Sequence, residues 1–177
     1  MVYYTIVRRV GNDRAAKDAA RAEALRRLLP RFGVPEDTPV ARDGRGRIYL
    51  PDHPEIDVNF SHADPFTVAV AGTARVGVDM EAEDGIRDPE GLARRFFTPR
   101  ETEAVTSSQD LRGAVLTVWT RKEAMGKYIG TGLAATMGDC TFSPPTGTSF
   151  FEETLTVGGV RYVLTVLSHE PPIRMDS

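Results

Sequence analysis

Asp79, Glu81, Glu123 and Lys127 are spaced so that two elements of secondary structure would gather them. In Val76-Gly77-Val78-Asp79-Met80-Glu81 the apolar side chains alternate with a glycine and two carboxylates. A period of two is that of a strand, with both carboxylates on one face and Val76, Val78 and Met80 on the other. About forty residues on, in Trp119-Thr120-Arg121-Lys122-Glu123-Ala124-Met125-Gly126-Lys127, the residues Trp119, Glu123 and Lys127 recur every fourth position. A helix stacks such residues along one face. Where that face meets the strand, three carboxylates and an ammonium converge. Clustered carboxylates repel one another unless a cation sits among them. Oxygen-only ligands suit a hard ion such as magnesium, which is usually shared with a phosphate. An isolated Asp-x-Glu is more often a solvated strand face, and Glu123 with Lys127 alone would be a helix-surface pair worth about 0.2–0.5 kcal/mol. The two segments together reverse that preference.

The elements that must position these groups follow from pattern and punctuation. Val2 to Val7 reads as a first strand. Asp13 to Leu29 reads as a helix with Asp13 as N-cap, Pro30 as its stop, and Ala22, Leu25, Leu28 and Leu29 as its apolar stripe. Arg42-Asp43-Gly44-Arg45-Gly46-Arg47 is a basic turn, and Asp57 to Phe60 a strand delivering Ser61 and His62 at its end. Phe66 to Ala71 and Val76 to Glu81, separated by Gly72-Thr73-Ala74-Arg75, are expected to form a hairpin. Pro89 to Phe97 is a short helix capped by Asp88. Thr98-Pro99-Arg100-Glu101 is a capping box opening the next helix. Leu111 to Tyr128 is the longest later helix, with Gly126 inside it as a point of close approach or a packing-compensated cost of about 1 kcal/mol. Phe151 to Val157 and Val160 to Leu167, joined by Gly158-Gly159, form a second hairpin. From Glu170 the tail is expected to be loose. Strands and helices in this mixed order indicate an α+β fold with mostly antiparallel sheets and packed helices. A boundary near Gly72–Arg75 would divide it into residues 1–74 and 75–177.

At 177 residues the chain can bury a sizeable core as one domain or two small ones. With 41% hydrophobic and 27% charged residues it is ordinary globular protein. A net charge of −3 does not favour wholesale nucleic-acid binding. The charge is uneven: Arg8 to Arg31 is basic and Asp79 to Glu90 acidic, so one region could grip phosphate and another a cation. Cys140 is the only cysteine, which excludes an intrachain disulfide framework. The N-terminus reads as too short and too polar for a signal peptide, and no run approaches the length of a membrane span. The expectation is a soluble, cytoplasmic protein. There is no dinucleotide fingerprint and no Walker loop.

The paired segments resemble the signature of the 4′-phosphopantetheinyl transferases, specifically the surfactin-synthetase-activating (Sfp) type: (I/V)-G-(I/V)-D-x-E, then about forty residues, then W-(S/T/C)-x-K-E-(A/S)-x-x-K. Three supporting segments match in order. Gly46-Arg47-Ile48 followed by Pro51-Asp52 resembles the family's G-K-P segment, Asn59-Phe60-Ser61-His62 its N-(I/L/F)-S-H, and Arg95-Phe96-Phe97-Thr98 its R-F-F-(S/T). The resemblance spans residues 15 to 143 or so. It implies transfer of the phosphopantetheine arm of coenzyme A to a serine of an apo acyl or peptidyl carrier protein. The by-product would be adenosine 3′,5′-bisphosphate, and magnesium, or manganese in its place, would be required. It further implies two similar halves related by a pseudo-two-fold in one chain, a monomer, and a site in the cleft between the halves.

Residue by residue, the resemblance makes Asp79, Glu81 and Glu123 the metal ligands. Glu123 is also a candidate base for the carrier serine, directly or through a metal-bound water. Lys127 would contact the phosphates and neutralise developing charge. His62, with Ser61 beside it, would stand near the phosphates, where an imidazole can donate to an oxygen. Arg47 replaces the family's lysine and is placed near the adenosine 3′-phosphate or adenine. Lys17, Arg14 and Arg21 on the first helix correspond to basic groups for the 3′-phosphate, or to a solvated basic face. Lys122 shares the motif but lies about 100° round the helix from Glu123, on another wall or at a ligand edge. Trp119 is expected to pack. A pyrophosphohydrolase would use the same carboxylates, but no signature of such an enzyme is present. A non-catalytic carrier-binding relative would have lost a metal carboxylate, and all three are retained.

Overall fold

The computed structural model describes residues 1–132, 138 and 141–175. Its first strand, β1 (Val2–Arg8), leads into α1 (Arg14–Leu28), where the Asp13 carboxylate accepts from the Ala16 amide. Pro30 does not stop the chain dead. A single 3₁₀ turn over Leu29–Phe32 follows and ends at Gly33 in the left-handed conformation, the backbone state glycine adopts without cost. The buried stripe of α1 is Ala20, Ala24, Leu25 and Leu28. Ala22 is exposed, because the i, i+4 series 20–24–28 faces the sheet and residue 22 falls on the opposite side of the helix.

Two short strands, β2 (Ala41–Arg42) and β3 (Ile48–Tyr49), flank the basic turn. Next come β4 (Asp57–Ala63), β5 (Phe66–Gly72) and β6 (Gly77–Ala82). Ser61 and His62 thus lie within β4, not beyond its end. Three helices follow: α2 (Pro89–Phe96), α3 (Pro99–Thr106) with the expected capping box, and α4 (Leu111–Ile129). The chain closes with β7 (Ser149–Val157), β8 (Val160–Ser168) and β9 (Ile173–Arg174). The class is α+β.

The strands form two main sheets, ordered β4-β5-β1-β9 and β6-β8-β7. The expected hairpin between residues 66–71 and 76–81 does not form. Every residue of β5 is buried, and β5 spends both edges on β1 and β4. No edge is left for β6, so residues 73–76 carry the chain across to the other sheet, where β6 pairs with β8. The tail is likewise not loose as far as Met175. Residues Ile173–Arg174 pair in parallel with β1, and the Met175 amide donates to the Tyr4 carbonyl at 2.7 Å.

The order of layers is helix, sheet, sheet, helix. Helix α1 packs on one face of the four-stranded sheet through Ala24, Leu28, Val58 and Ala71. The opposite face meets the three-stranded sheet in one shared core of Val68, Val70, Val76, Val78, Met80, Leu164 and Val166. Helix α4 covers the outer face of β6 and β8, with α2 and α3 against it. The close approach of α4 to β6 is made possible by Gly77: a Cβ there would stand 2.2 Å from the Ala124 carbonyl oxygen. Gly126, singled out from sequence, is buried in the same helix.

Candidate active site

The alternation in β6 resolves as the sequence predicts. Val76, Val78 and Met80 enter the inter-sheet core, while Gly77, Asp79 and Glu81 share the face that α4 covers. From α4, Lys127 reaches Asp79 and donates to its Oδ1 at 2.7 Å. Glu123 stands one turn before Lys127 and feels Asp79 electrostatically. Burial, reinforced by the charge of Asp79, raises Glu81 to a pKa of about 7. The same two causes raise Glu123. Such mutual repulsion is what a bound cation would relieve.

On its far side β6 has no hydrogen-bonded strand neighbour among the described residues. Three side chains of β4 take that place. Asp57 Oδ2 accepts from the Val76 amide at 2.9 Å, Asn59 Oδ1 from Val78 at 3.1 Å, and Ser61 Oγ from Met80 at 3.3 Å. Residues two apart on a strand share a face, so Asp57, Asn59 and Ser61 form a seam between the sheets. Ser61 also donates to Asp79 Oδ1 at 2.7 Å.

The other face of β4 looks toward α1 and a basic cleft. His62 Nε2 accepts from Arg21 at 2.7 Å, and Nδ1 lies 2.8 Å from the Thr67 hydroxyl. A guanidinium can only donate, so the proton of a neutral His62 sits on Nδ1. Burial, then the cations Arg21, Arg9, Lys17 and Lys127, lower His62 to about 4. Arg21 lines the cleft and Lys17 adds to its positive potential, whereas Arg14 is 95% exposed in its side chain and pairs with Asp18. Arg47 ties β4 to α4 and to the start of β6: its guanidinium donates to Asp57 Oδ2, to the Val76 carbonyl and to the Lys127 carbonyl. The cleft, about 280 Å³, is bordered by Arg21, Arg42, Arg45, Arg47, His62 and Lys127. Among the described residues, the buried side-chain polar atoms with no hydrogen-bond partner are Arg21 Nε, Arg47 Nε and Asp79 Oδ2. All three belong to this site. Buried polar atoms are normally satisfied, so two idle guanidinium donors and one idle carboxylate oxygen mark where an anion and a cation fit.

Lys122 is not brought to the cluster. It is fully buried on the other side of α4, 2.8 Å from Glu101 of α3 and 3.0 Å from the Gly138 carbonyl. Glu101 is equally buried and accepts from Thr141 and from the Thr98 amide. Nor do the carboxylates form a ready cage. Among the described residues no group of three His, Cys, Asp or Glu side chains could hold a metal ion by itself. The donor set still fits magnesium, which binds through one or two carboxylates and keeps waters and phosphate oxygens for the rest.

Sequence reasoning assigned Trp119 to packing alone. It does pack edge-on against Phe96, with ring centroids 5.3 Å apart, and its indole stands near Glu81, where it offsets part of the upward push that burial gives that carboxylate. The capping pattern flagged Glu101 only as a helix start, Asn59 was marked only as part of the Asn59-Phe60-Ser61-His62 segment, and Asp57 had no signal beyond its alternation with Asn59 and Ser61.

A family model described as the 4′-phosphopantetheinyl transferase superfamily matches residues 75–169, more than half of the chain. The chain belongs to that superfamily. It is 39% identical over 79 residues to the 4′-phosphopantetheinyl transferase HetI of Nostoc sp., covering 43% of this chain and 33% of that protein. It is 29% identical over 119 residues to a 4′-phosphopantetheinyl transferase of Bacillus subtilis, covering 66% of this chain and 48% of that one. These matches span between a third and a half of the length of the curated relatives. Among the described residues no helix is long and apolar enough to cross a membrane.

Proposed function

We propose that this protein transfers the 4′-phosphopantetheine arm of coenzyme A to a serine hydroxyl of an apo acyl or peptidyl carrier protein and releases adenosine 3′,5′-bisphosphate. The observation that carries this reading is the meeting of a basic cleft with a carboxylate cluster, with idle donors on one side and an idle acceptor on the other. The cleft is suited to the phosphates of coenzyme A through Arg21, Arg47 and Lys127, with Lys17 adding positive potential. His62, neutral at physiological pH, holds Arg21 in place by accepting at Nε2, while its Nδ1–H is engaged by the Thr67 hydroxyl.

Asp79, Glu81 and Glu123 would hold magnesium, with manganese as an alternative ion. When bound, magnesium would offset phosphate charge at the reacting phosphorus. The carrier serine oxygen attacks the phosphorus that bears the pantetheine arm. The bond from that phosphorus to the bridging oxygen breaks, and adenosine 3′,5′-bisphosphate leaves with the electron pair. Glu123 takes the serine proton, directly or through a water. Lys127 stabilises the charge that develops as the bond breaks.

The Sfp type, a monomer, a cytoplasmic location and a division into halves at residues 1–74 and 75–177 complete the reading. The test is to incubate the protein with coenzyme A, magnesium and a panel of apo carrier proteins and to weigh the carriers intact. One phosphopantetheine arm should be gained, and chelator should abolish the gain. Glu123→Gln should slow it by about 10²–10⁴-fold. No gain together with no binding of coenzyme A would overturn the reading.

A further inference from the structure

We propose that Ser61 is the positioning residue for Asp79 and not a phosphate ligand, an inference that rests on the transferase reading of the site. A serine hydroxyl has one proton to give. Ser61 Oγ lies 2.7 Å from Asp79 Oδ1, and an ionised carboxylate only accepts, so the proton is committed there. A lone pair of the same oxygen accepts from the Met80 amide at 3.3 Å. Ser61 is only 5% exposed, so no swing into the cleft is open to it without breaking both bonds.

Its neighbour His62 points the other way, to Arg21 and Thr67, as adjacent strand residues must. The two residues of the Ser61-His62 pair thus serve opposite sides of β4, the serine the carboxylates and the histidine the cationic cleft. Lys127 and Ser61 together occupy Asp79 Oδ1, which fixes the carboxylate plane and leaves Oδ2 idle for a cation. Groups that orient a metal-binding side chain in this way typically change metal affinity by about 10–100-fold when removed.

The test uses Ser61→Ala, which removes one oxygen and adds nothing. Manganese binding is read by electron paramagnetic resonance in the presence of coenzyme A. Coenzyme A binding is read by calorimetry in chelator, and folding by the urea midpoint. The expected result is manganese binding weaker by about tenfold or more, with coenzyme A affinity in chelator within about twofold of the parent protein. Asn59→Ala is the control. It removes the neighbouring seam bond to Val78 without touching Asp79, so it should lower the urea midpoint and leave manganese binding alone. Unchanged manganese binding in Ser61→Ala, with coenzyme A affinity lost instead, would overturn the proposal. So would an equal loss of manganese binding in Asn59→Ala. If the parent protein itself binds no manganese, the metal-site reading falls and the role of Ser61 with it.

Discussion

His62 shows how a single side chain can be held in one protonation state by its surroundings. Burial and four nearby cations lower it from the ordinary 6.5 to about 4. The unfolded chain therefore binds a proton that the folded chain refuses between those two values. Stability from this source is complete above pH 6.5 and is lost as pH falls through that window to about 4. Glu81 works in the opposite sense. Its raised pKa makes the metal-free fold lose stability as pH rises from 4.5 to about 7. The two are separated by comparing the parent protein with His62→Gln in urea melts across this range. The expected outcome is a shallower loss of midpoint toward low pH in His62→Gln, and identical slopes would count against the burial of a neutral imidazole. Much at this scale was legible in the sequence. Asp79, Glu81, Glu123 and Lys127 could be gathered from periods of two and four because those periods are properties of backbone geometry. Lys122 could not be placed, because a helical wheel gives a direction but not what stands there. Its partner Glu101 lies 21 positions back and was disguised as a capping residue.

Elements succeed or fail by their neighbours. The contact between β6 and α4 depends on a missing side chain, so Gly77→Ala must push strand and helix apart or strain the helix backbone. Overpacking of that kind costs about 1–3 kcal/mol, which a urea titration of the variant would register, with Glu123 and Lys127 drawn off Asp79 in consequence. The buried Lys122–Glu101 pair holds α4 to α3 at a fixed rotation. Removing only the lysine, as in Lys122→Met, leaves a buried carboxylate unpaired and should cost about 3–5 kcal/mol. Adding Glu101→Leu should recover part of that loss, since an apolar pair of similar volume avoids the buried charge. The same urea series reads both. Strand and helix positions were largely legible from pattern, caps and turn residues. The pairing of strands was not. Phe66–Ala71 and Val76–Glu81 carry all the local marks of a hairpin, but β5 is a central strand with both edges taken, and only the whole sheet reveals that.

At the scale of the molecule, two sheets are joined by two chain crossings, β5 to β6 and β8 to β9, a shared apolar core and a seam of side chains. Arg47 extends the seam, tying the start of β6 and the end of α4 to Asp57. The carboxylates ride on one sheet and the cationic cleft is shared with the other, so the geometry of the site is the geometry of that junction. No local sequence pattern could have announced this, because the seam joins residues 19 apart through side chain to backbone, a bond type without a periodic signature. It has a consequence for hydrogen exchange. The amides of Val76, Val78 and Met80 are shielded only by the seam, while those of Gly77, Asp79 and Glu81 fall on the edge paired with β8. Deuterium uptake along β6 should therefore alternate residue by residue. If the sheets part transiently, the even-numbered amides alone will exchange early, and ligands that close the cleft will slow those and leave the odd-numbered ones unchanged. A single strand of six residues would then serve as a clock for the opening of the whole protein.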